Sequence, residues 1–224
     1  MSAEIVLLET VALAATAVSV GAIHTLLGPD HYVPFAAMAH AGRWSAGKTL
    51  RVTVACGLGH VAGSVAVGLV GLAIGAAVLK LEFVEAIRGD VAGWLLVAFG
   101  AAYLGWGLVV AAREHGHARP QIAADATTVA AGVWTPWLLF LVFVFGPCEP
   151  LIPLLVYPAA RADGFAVAAV VAAFTAATVG TMVVAVLAMR LGATVARVPR
   201  RERFSHACAG LAILACGLLV KLGL

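Results

Sequence analysis

Six long runs of apolar residues, each with few or no charged side chains, dominate this chain of 224 residues. A helix needs about 20 mostly apolar residues to cross the hydrocarbon core of a bilayer, and each run is about that long. Because lipid offers no partners to backbone groups, and because the runs lack the alternating pattern of barrel strands, we predict that all six are helices. The predicted helices are Ile5–His24, Val52–Leu79, Val91–Ala112, Val133–Tyr157, Phe165–Met189 and Ser205–Leu224.

The composition indicates the same environment. Hydrophobic residues make up 63% of the chain and charged residues 11%, whereas soluble globular domains are about half apolar and one quarter charged. A net charge of +3 is too small to indicate binding to nucleic acid. We therefore expect a multi-pass protein of the cell (inner or plasma) membrane, surrounded by lipid, and not a soluble enzyme. Association into a homo-oligomer stays an open alternative.

The basic residues are distributed unevenly among the predicted connections. Ten Lys and Arg residues follow the first, third and fifth helices, and four lie on the opposite side. Since cytoplasmic connections carry an excess of Lys and Arg, we expect the ten in the cytoplasm and both termini outside it. The ten are Arg43, Lys48, Arg51, Arg113, Arg119, Arg190, Arg197, Arg200, Arg201 and Arg203, and the four are Lys80, Arg88, Arg161 and Lys221.

The two halves of the chain share a sequence pattern. Residues 28–31 read GPDH, and residues 146–149, 118 positions later, read GPCE. A second match, 117 positions apart, pairs Gly93, Ala98 and Gly100 with Gly210, Ala215 and Gly217. Two matches at nearly one spacing indicate an internal duplication.

An odd number of helices in each half would turn the second half upside down relative to the first. We therefore predict an all-α membrane protein of six transmembrane helices, built as two inverted three-helix repeats. Residues 1–112 form the predicted first repeat, residues 113–132 a cytoplasmic linker, and residues 133–224 the second repeat. Proline disfavours helical geometry, so each Gly-Pro pair is expected to break its helix and free backbone groups for a substrate.

Ionisable side chains cluster at the predicted breaks. Burying such groups near lipid is costly unless they pair with one another, with a metal ion or with water, so we interpret them as functional. Imidazole, carboxylate and thiolate together suit a divalent transition metal better than calcium. The candidate metal ligands are His24, Asp30, His31, His60, Cys148 and Glu149.

Other interpretations of these residues stay open. The group at the first break could be solvated at the membrane interface, and His60 could be a hydrogen-bonded core residue. Glu149 could carry a proton, because an acidic group in lipid can bind protons in the working pH range. We interpret His115 and His117 as part of a solvated cytoplasmic loop, with weak metal capture near the entrance as the alternative.

Two motifs resemble those of the nickel/cobalt transporter (NicO/NiCoT) superfamily: His24-x5-Asp30-His31 and Leu58-Gly59-His60. Together with the GPCE segment, they make the chain most similar to UreH-like proteins, which are grouped with TauE/SafE-type sulfite exporters and the DsbD-like transmembrane fold. The resemblance covers most of the chain and implies metal binding by His24, Asp30, His31 and His60. The transporter motif usually has four residues, not five, between the first His and the Asp, and the second-half motif also differs.

We therefore expect a secondary transporter of a divalent transition-metal ion, nickel or cobalt first, with copper or zinc as alternatives. We expect no ATP-binding loop, so that an ion or proton gradient, or a partner, would supply the energy. One alternative is export of sulfite or another small sulfur compound, which the expected absence of Arg and Lys from the apolar core disfavours. Another is a DsbD-like electron carrier, although the position equivalent to Cys148 holds Asp30 and not a second cysteine.

Overall fold

The protein is described by a computed structural model that covers residues 3–75, 78–113, 136–146, 148–195 and 204–223. Within these ranges the chain is helical and contains no strand. A short 3₁₀ turn, Pro29–His31, separates the first two helices. The α-helices are α1 (Ala3–Leu27), α2 (Val33–Ala41), α3 (Ala46–Ala73), α4 (Val78–Arg113), α5 (Pro136–Phe145), α6 (Leu151–Ala160), α7 (Gly164–Val195) and α8 (Ser205–Lys221).

The longer helices have the size and surface of membrane spans. Among the described residues, α1, α3, α4 and α7 are long and apolar enough to cross a membrane, whereas α5, α6 and α8 are apolar but shorter. Large apolar side chains on α1 and α7 stay exposed, with Leu8 72%, Leu27 75% and Val184 67% accessible. Apolar exposure of this extent marks a surface that contacts lipid or protein. The expectation of an all-α protein with membrane-spanning helices is confirmed at this level.

Two interruptions divide helical segments where the Gly-Pro pairs predict them. The first break lies between Leu27, the last residue of α1, and Val33, the first of α2. The second break lies between Phe145 at the end of α5 and Leu151 at the start of α6. The predicted helical segment Val133–Tyr157 thus contains the expected break, and its described part forms two short helices.

The boundaries of α3 and α4 also differ from the predicted ones. α3 ends at Ala73, six residues before the predicted end, and α4 begins at Val78, thirteen residues before the predicted start at Val91. We predicted a connection at Lys80–Asp90 because this segment carries five charged residues. In the structure Glu85 and Arg88 lie three residues apart on α4 and form an ion pair, so their charges are accommodated within the helix.

The short helices that follow the two breaks end in the same way. Arg43 after α2 and Ala162 after α6 have positive φ angles of 49° and 55°. In both turns the next residue donates its backbone N–H to a carbonyl five residues earlier: Trp44 to Ala39 at 3.0 Å, and Asp163 to Pro158 at 3.1 Å. This is the Schellman pattern, which satisfies the last carbonyls of a helix.

Long helices of the two halves pack against each other in antiparallel pairs. In the α4–α8 pair, a side chain on Gly100 would collide with the backbone of Leu214, and one on Gly217 would meet the backbone of Val97. In the α3–α7 pair, Gly57 faces Met182, and Thr49 accepts a hydrogen bond from Arg190 at 3.1 Å. Glycines thus let these helices approach closely, as small residues do in membrane bundles.

The predicted linker, residues 113–132, lies outside the described residues except for its first position. His115 and His117 therefore have no structural description, and neither do five of the ten basic residues assigned to the cytoplasm: Arg119, Arg197, Arg200, Arg201 and Arg203.

Candidate metal centre

Three histidines from different elements meet in the interior. His24 lies in the last turn of α1, His31 in the 3₁₀ turn of the first break, and His60 in the middle of α3. The ring centroids of His24 and His31 are 4.8 Å apart, and those of His31 and His60 are 5.0 Å apart. His31 and His60 are only 4% and 3% exposed, so the imidazoles form a buried row with His31 at its centre.

The hydrogen bonds of these rings leave one nitrogen free on each. His31 Nδ1 lies 3.1 Å from the Gly28 carbonyl oxygen and 3.2 Å from Asp30 Oδ1, and His60 Nδ1 lies 3.3 Å from the Phe143 carbonyl oxygen. These acceptors favour the tautomer with the proton on Nδ1, which makes Nε2 a lone-pair donor to a metal. The Nε2 atoms of His24, His31 and His60 are buried without a hydrogen-bond partner among the described residues.

Cys148 brings a thiol from the second break to the same place. Its sulfur, a ring nitrogen of His24 and a ring nitrogen of His60 all lie within 4.8 Å of one another, and Cys148 is fully buried. The ligand atoms of a tetrahedral metal are about 3.5 Å apart, so the three side chains would need to close by about 1 Å around an ion. Residues from both breaks therefore face one common space.

The two candidate carboxylates occupy different positions. Asp30 lies behind His31, with its carboxylate 3.2 Å from the Nδ1 atom. Metal-binding histidines commonly donate their second N–H to such a carboxylate, which fixes the ring orientation. The Glu149 side chain is exposed, and its contacts among the described residues do not join it to the imidazoles. The structure thus brings together His24, Asp30, His31, His60 and Cys148. The exposed Glu149 is not part of this group.

A buried polar network beside Cys148 was not predicted. It consists of Ser64 on α3 and of Glu85 and Arg88 on α4, and Ser64 and Glu85 are 0% exposed. Ser64 donates its hydroxyl to Glu85 Oε2 at 2.7 Å, and Arg88 pairs with Glu85 Oε1. The available sequence signal was the spacing of an acidic and a basic residue three positions apart, which we assigned to a connection and not to a helix face.

This network corrects an argument made from the sequence. We expected no Arg or Lys in the apolar core, yet the Arg88 side chain is only 15% exposed. Its guanidinium is already engaged by the Glu85 carboxylate and by the carbonyl oxygens of Val144 and Gly146. A neutralised guanidinium provides no attraction for an anion, so Arg88 does not favour the sulfite alternative.

A second correction concerns the segment Gly42–Thr49. Its sequence, GRWSAGKT, fits the GxxxxGK[ST] pattern of phosphate-binding loops that we had expected to be absent. Such loops follow a strand and open a helix, whereas this segment follows α2 and enters α3. Lys48 lies 4.8 Å from the ring centroid of Trp44, and Thr49 donates its hydroxyl to the Ser45 carbonyl. The fold thus gives the segment a different role, as a turn between two helices.

Comparisons with known proteins add no family assignment. A scan against protein-family models, a search of curated proteins and a search of solved structures each find no match to this chain.

Proposed function

We propose that the chain is a secondary membrane transporter of a divalent transition-metal ion, with nickel or cobalt as the first candidates and copper or zinc as alternatives. The observation that carries this proposal is the set of three buried imidazoles whose Nε2 atoms have no partner among the described residues. An unpaired polar atom in a low-dielectric interior is costly, and a metal ion held between His24, His60 and Cys148, with the His31 ring beside both histidines, would relieve this cost. His24, His31, His60 and Cys148 are the proposed ligands, and Asp30 orients His31.

The donor set favours this class of ion. Imidazole nitrogen and thiolate sulfur bind nickel, cobalt, copper and zinc, whereas calcium and magnesium prefer oxygen ligands. Glu149, exposed at the second break, is retained in the proposal as a candidate proton carrier. No further carboxylate is needed, because the Asp30 contact to His31 resembles the outer-shell carboxylates of metal sites.

Several features support two inverted repeats with the site between them. α4 and α8, which would be equivalent helices, run antiparallel, as do α3 and α7. The helices that follow both breaks end in the same Schellman turn. His60 lies near the middle of the 28-residue α3, and a site at mid-span between repeats is typical of such transporters. We propose six spans on this basis, with both termini outside the cytoplasm.

A large cavity lies between α2, α7 and α8, and we propose it as the access route to the site. Its volume is about 1300 Å³, and on α2 it is lined from Val33 to His40. Val33, the lining residue nearest to the site in sequence, is two residues from His31. Because residues 42–49 lack the strand-to-helix setting of a phosphate-binding loop, we propose coupling to an ion or proton gradient, or to a partner.

The test of the site is metal binding by the detergent-purified chain. We expect the wild type to bind about one nickel or cobalt ion, and His31→Ala to lose more affinity than the roughly tenfold to hundredfold that follows loss of an outer-shell partner. His206→Ala is the matched control, because His206 lies near the start of α8, where its ring contacts Tyr103 and Trp106, away from the imidazole row. Equal binding by the wild type and His31→Ala would refute the proposed site.

The test of transport is uptake into proteoliposomes. The purified chain would be reconstituted with a metal-sensitive dye inside the vesicles, and external nickel or cobalt would be added. We expect entry of the metal in wild-type vesicles and background entry with His31→Ala. Movement of labelled sulfite, without movement of metal, would instead support the exporter alternative.

A further inference from the structure

The broken segment between α5 and α6 leaves backbone groups that no helix satisfies. A helix ends with four unpaired carbonyls and begins with four unpaired N–H groups, and burial makes each of them costly. At the end of α5, Arg88 Nη2 donates to the carbonyl oxygens of Val144 at 2.8 Å and Gly146 at 3.3 Å. One guanidinium from α4 therefore caps the end of α5.

The start of α6 is held by the other half of the same ion pair. The backbone N–H of Cys148 donates to Glu85 Oε2 at 3.1 Å and to Ser64 Oγ at 3.0 Å. Two acceptors from α3 and α4 thus fix the backbone of the residue that carries the candidate thiolate.

The network is complete within itself. The Ser64 hydroxyl donates to Glu85 Oε2 at 2.7 Å and accepts from Arg88 Nη1 at 3.1 Å and from Cys148 N, which uses its one donor and both lone pairs. Gly63 leaves room for it, because a Cβ there would lie 2.5 Å from Arg88 Nη2 and 2.7 Å from the Val144 oxygen. A charge-balanced and fully bonded cluster is rigid in a low-dielectric interior.

We infer that Ser64, Glu85 and Arg88 are positioning residues that hold both sides of the second break and direct the Cys148 thiol toward His24 and His60. This inference rests on the proposed function in one respect, because it assigns the network to the metal site. It does not require the network to touch the ion. The network is connected to the proposed ion through the Cys148 backbone.

The test is a cobalt(II) titration of the full-length purified chain. A bound thiolate adds a sulfur-to-cobalt charge-transfer band in the near ultraviolet, whereas the visible d–d bands report coordination in general. In Glu85→Gln we expect the charge-transfer band to be lost or strongly reduced, with the d–d bands retained and the affinity about tenfold to hundredfold weaker. Cys148→Ser should lose the band entirely, and Glu82→Gln, an exposed acid on the same helix, should match the wild type.

A second measurement does not depend on metal. Maleimide labelling of Cys148, read by peptide mass spectrometry, should be slow in the wild type and in Glu82→Gln, and faster in Glu85→Gln. If Glu85→Gln fails to fold, Ser64→Ala keeps the ion pair and should show the same changes to a smaller degree.

The outcomes separate the two claims. A wild type that binds no cobalt would refute the metal function, while the labelling rates would still decide whether the network holds Cys148. Wild-type labelling rates and a wild-type charge-transfer band in both Glu85→Gln and Ser64→Ala would overturn the positioning role.

Discussion

The first and second breaks interrupt helices with similar sequences, but they are held in different ways. At the first break the fastening is local, because Gly28 and Asp30, three residues and one residue away, accept hydrogen bonds from His31. At the second break the fastening is remote, because Glu85 and Arg88 come from a helix about 60 residues earlier in the chain. Both breaks can be recognised in the sequence, but only the first has partners that lie beside it in the chain.

The two breaks also present different chemical groups. The first break presents an imidazole backed by a carboxylate, and the second presents a thiol on a backbone fixed by a buried ion pair. His60 lies between the two breaks. Its Nδ1 atom is hydrogen-bonded to the Phe143 carbonyl oxygen at the end of α5, next to the second break. The proposed ion would therefore join two segments that are otherwise stabilised independently.

The largest expected effect is on stability at the second break. Glu85→Ala would leave the largely buried Arg88 charge without its partner, and losing one member of a buried ion pair costs about 3–5 kcal/mol. Asp30→Ala at the first break should cost about 1 kcal/mol or less, because Asp30 is 27% exposed and its ion pair is with the neighbouring residue His31. Unfolding of both variants in detergent would measure the difference. Similar losses would remove the distinction between local and remote fastening.

The next largest effect is expected on metal preference, which should differ between a variant at the first break and a variant at the second. Cys148→Ser removes the soft ligand, so we expect it to weaken copper and zinc binding more than nickel binding. His31→Ala removes the central imidazole and should weaken the binding of all of these ions by more than about hundredfold, that is, by more than about 2.7 kcal/mol. Competition titrations with a chromophoric chelator would give the affinities. Identical metal profiles for the two variants would mean that Cys148 is not a ligand.

Substitution of the glycines at the two breaks should have smaller effects, of about the same size at each break. A Cβ on Gly28 would lie 2.5 Å from His31 Nδ1, and a Cβ on Gly146 would lie 2.7 Å from His60 Nδ1. Gly28→Ala and Gly146→Ala should each displace one imidazole and weaken metal binding about tenfold, or about 1.4 kcal/mol. Gly180→Ala is the control, since a Cβ there meets no atom within 4 Å. Binding that stays at the wild-type level in Gly28→Ala and Gly146→Ala would contradict the packing around both rings.

The smallest effect is expected from a side-chain hydrogen bond between Tyr32, at the first break, and α1. Tyr32 donates its hydroxyl to the Leu26 carbonyl at 3.2 Å, near the end of α1. Tyr32→Phe should cost at most about 1 kcal/mol, because the freed carbonyl is close to the surface. Thermal unfolding beside Tyr157→Phe, an exposed tyrosine on α6, would measure it. A loss as large as that of Glu85→Ala would contradict a first break that is held by several weak local contacts.

Much of the helical framework could be predicted from the sequence. The apolar runs located the helices, and the Gly-Pro pairs located both breaks, because these signals act over a few neighbouring residues. The grouping of His24 and His31 also followed from their spacing on one segment. That His60 joins them was proposed because His24 and His31 could share a site with it and because Leu58-Gly59-His60 resembles a transporter motif. Its position beside His31 is set by tertiary packing of α3.

The rest depended on contacts between distant parts of the chain. Charged residues at positions 80–90 indicated a connection, and only the pairing of Glu85 with Arg88 and with the second break explains their place in α4. Glu149 and Cys148 are adjacent in sequence, yet Glu149 lies in a turn and is exposed, whereas Cys148 is buried. Sequence spacing alone does not determine which of two neighbours faces the interior.

X-ray absorption of the cobalt-loaded wild type tests the central claim most directly, because it reports the atoms bound to the ion. The account predicts imidazole nitrogens at about 2.0–2.1 Å together with one sulfur at about 2.3 Å, close to the distances known for zinc, and loss of the sulfur in Cys148→Ser. A shell of oxygen atoms alone, without imidazole or sulfur, would contradict a shared site between the two breaks.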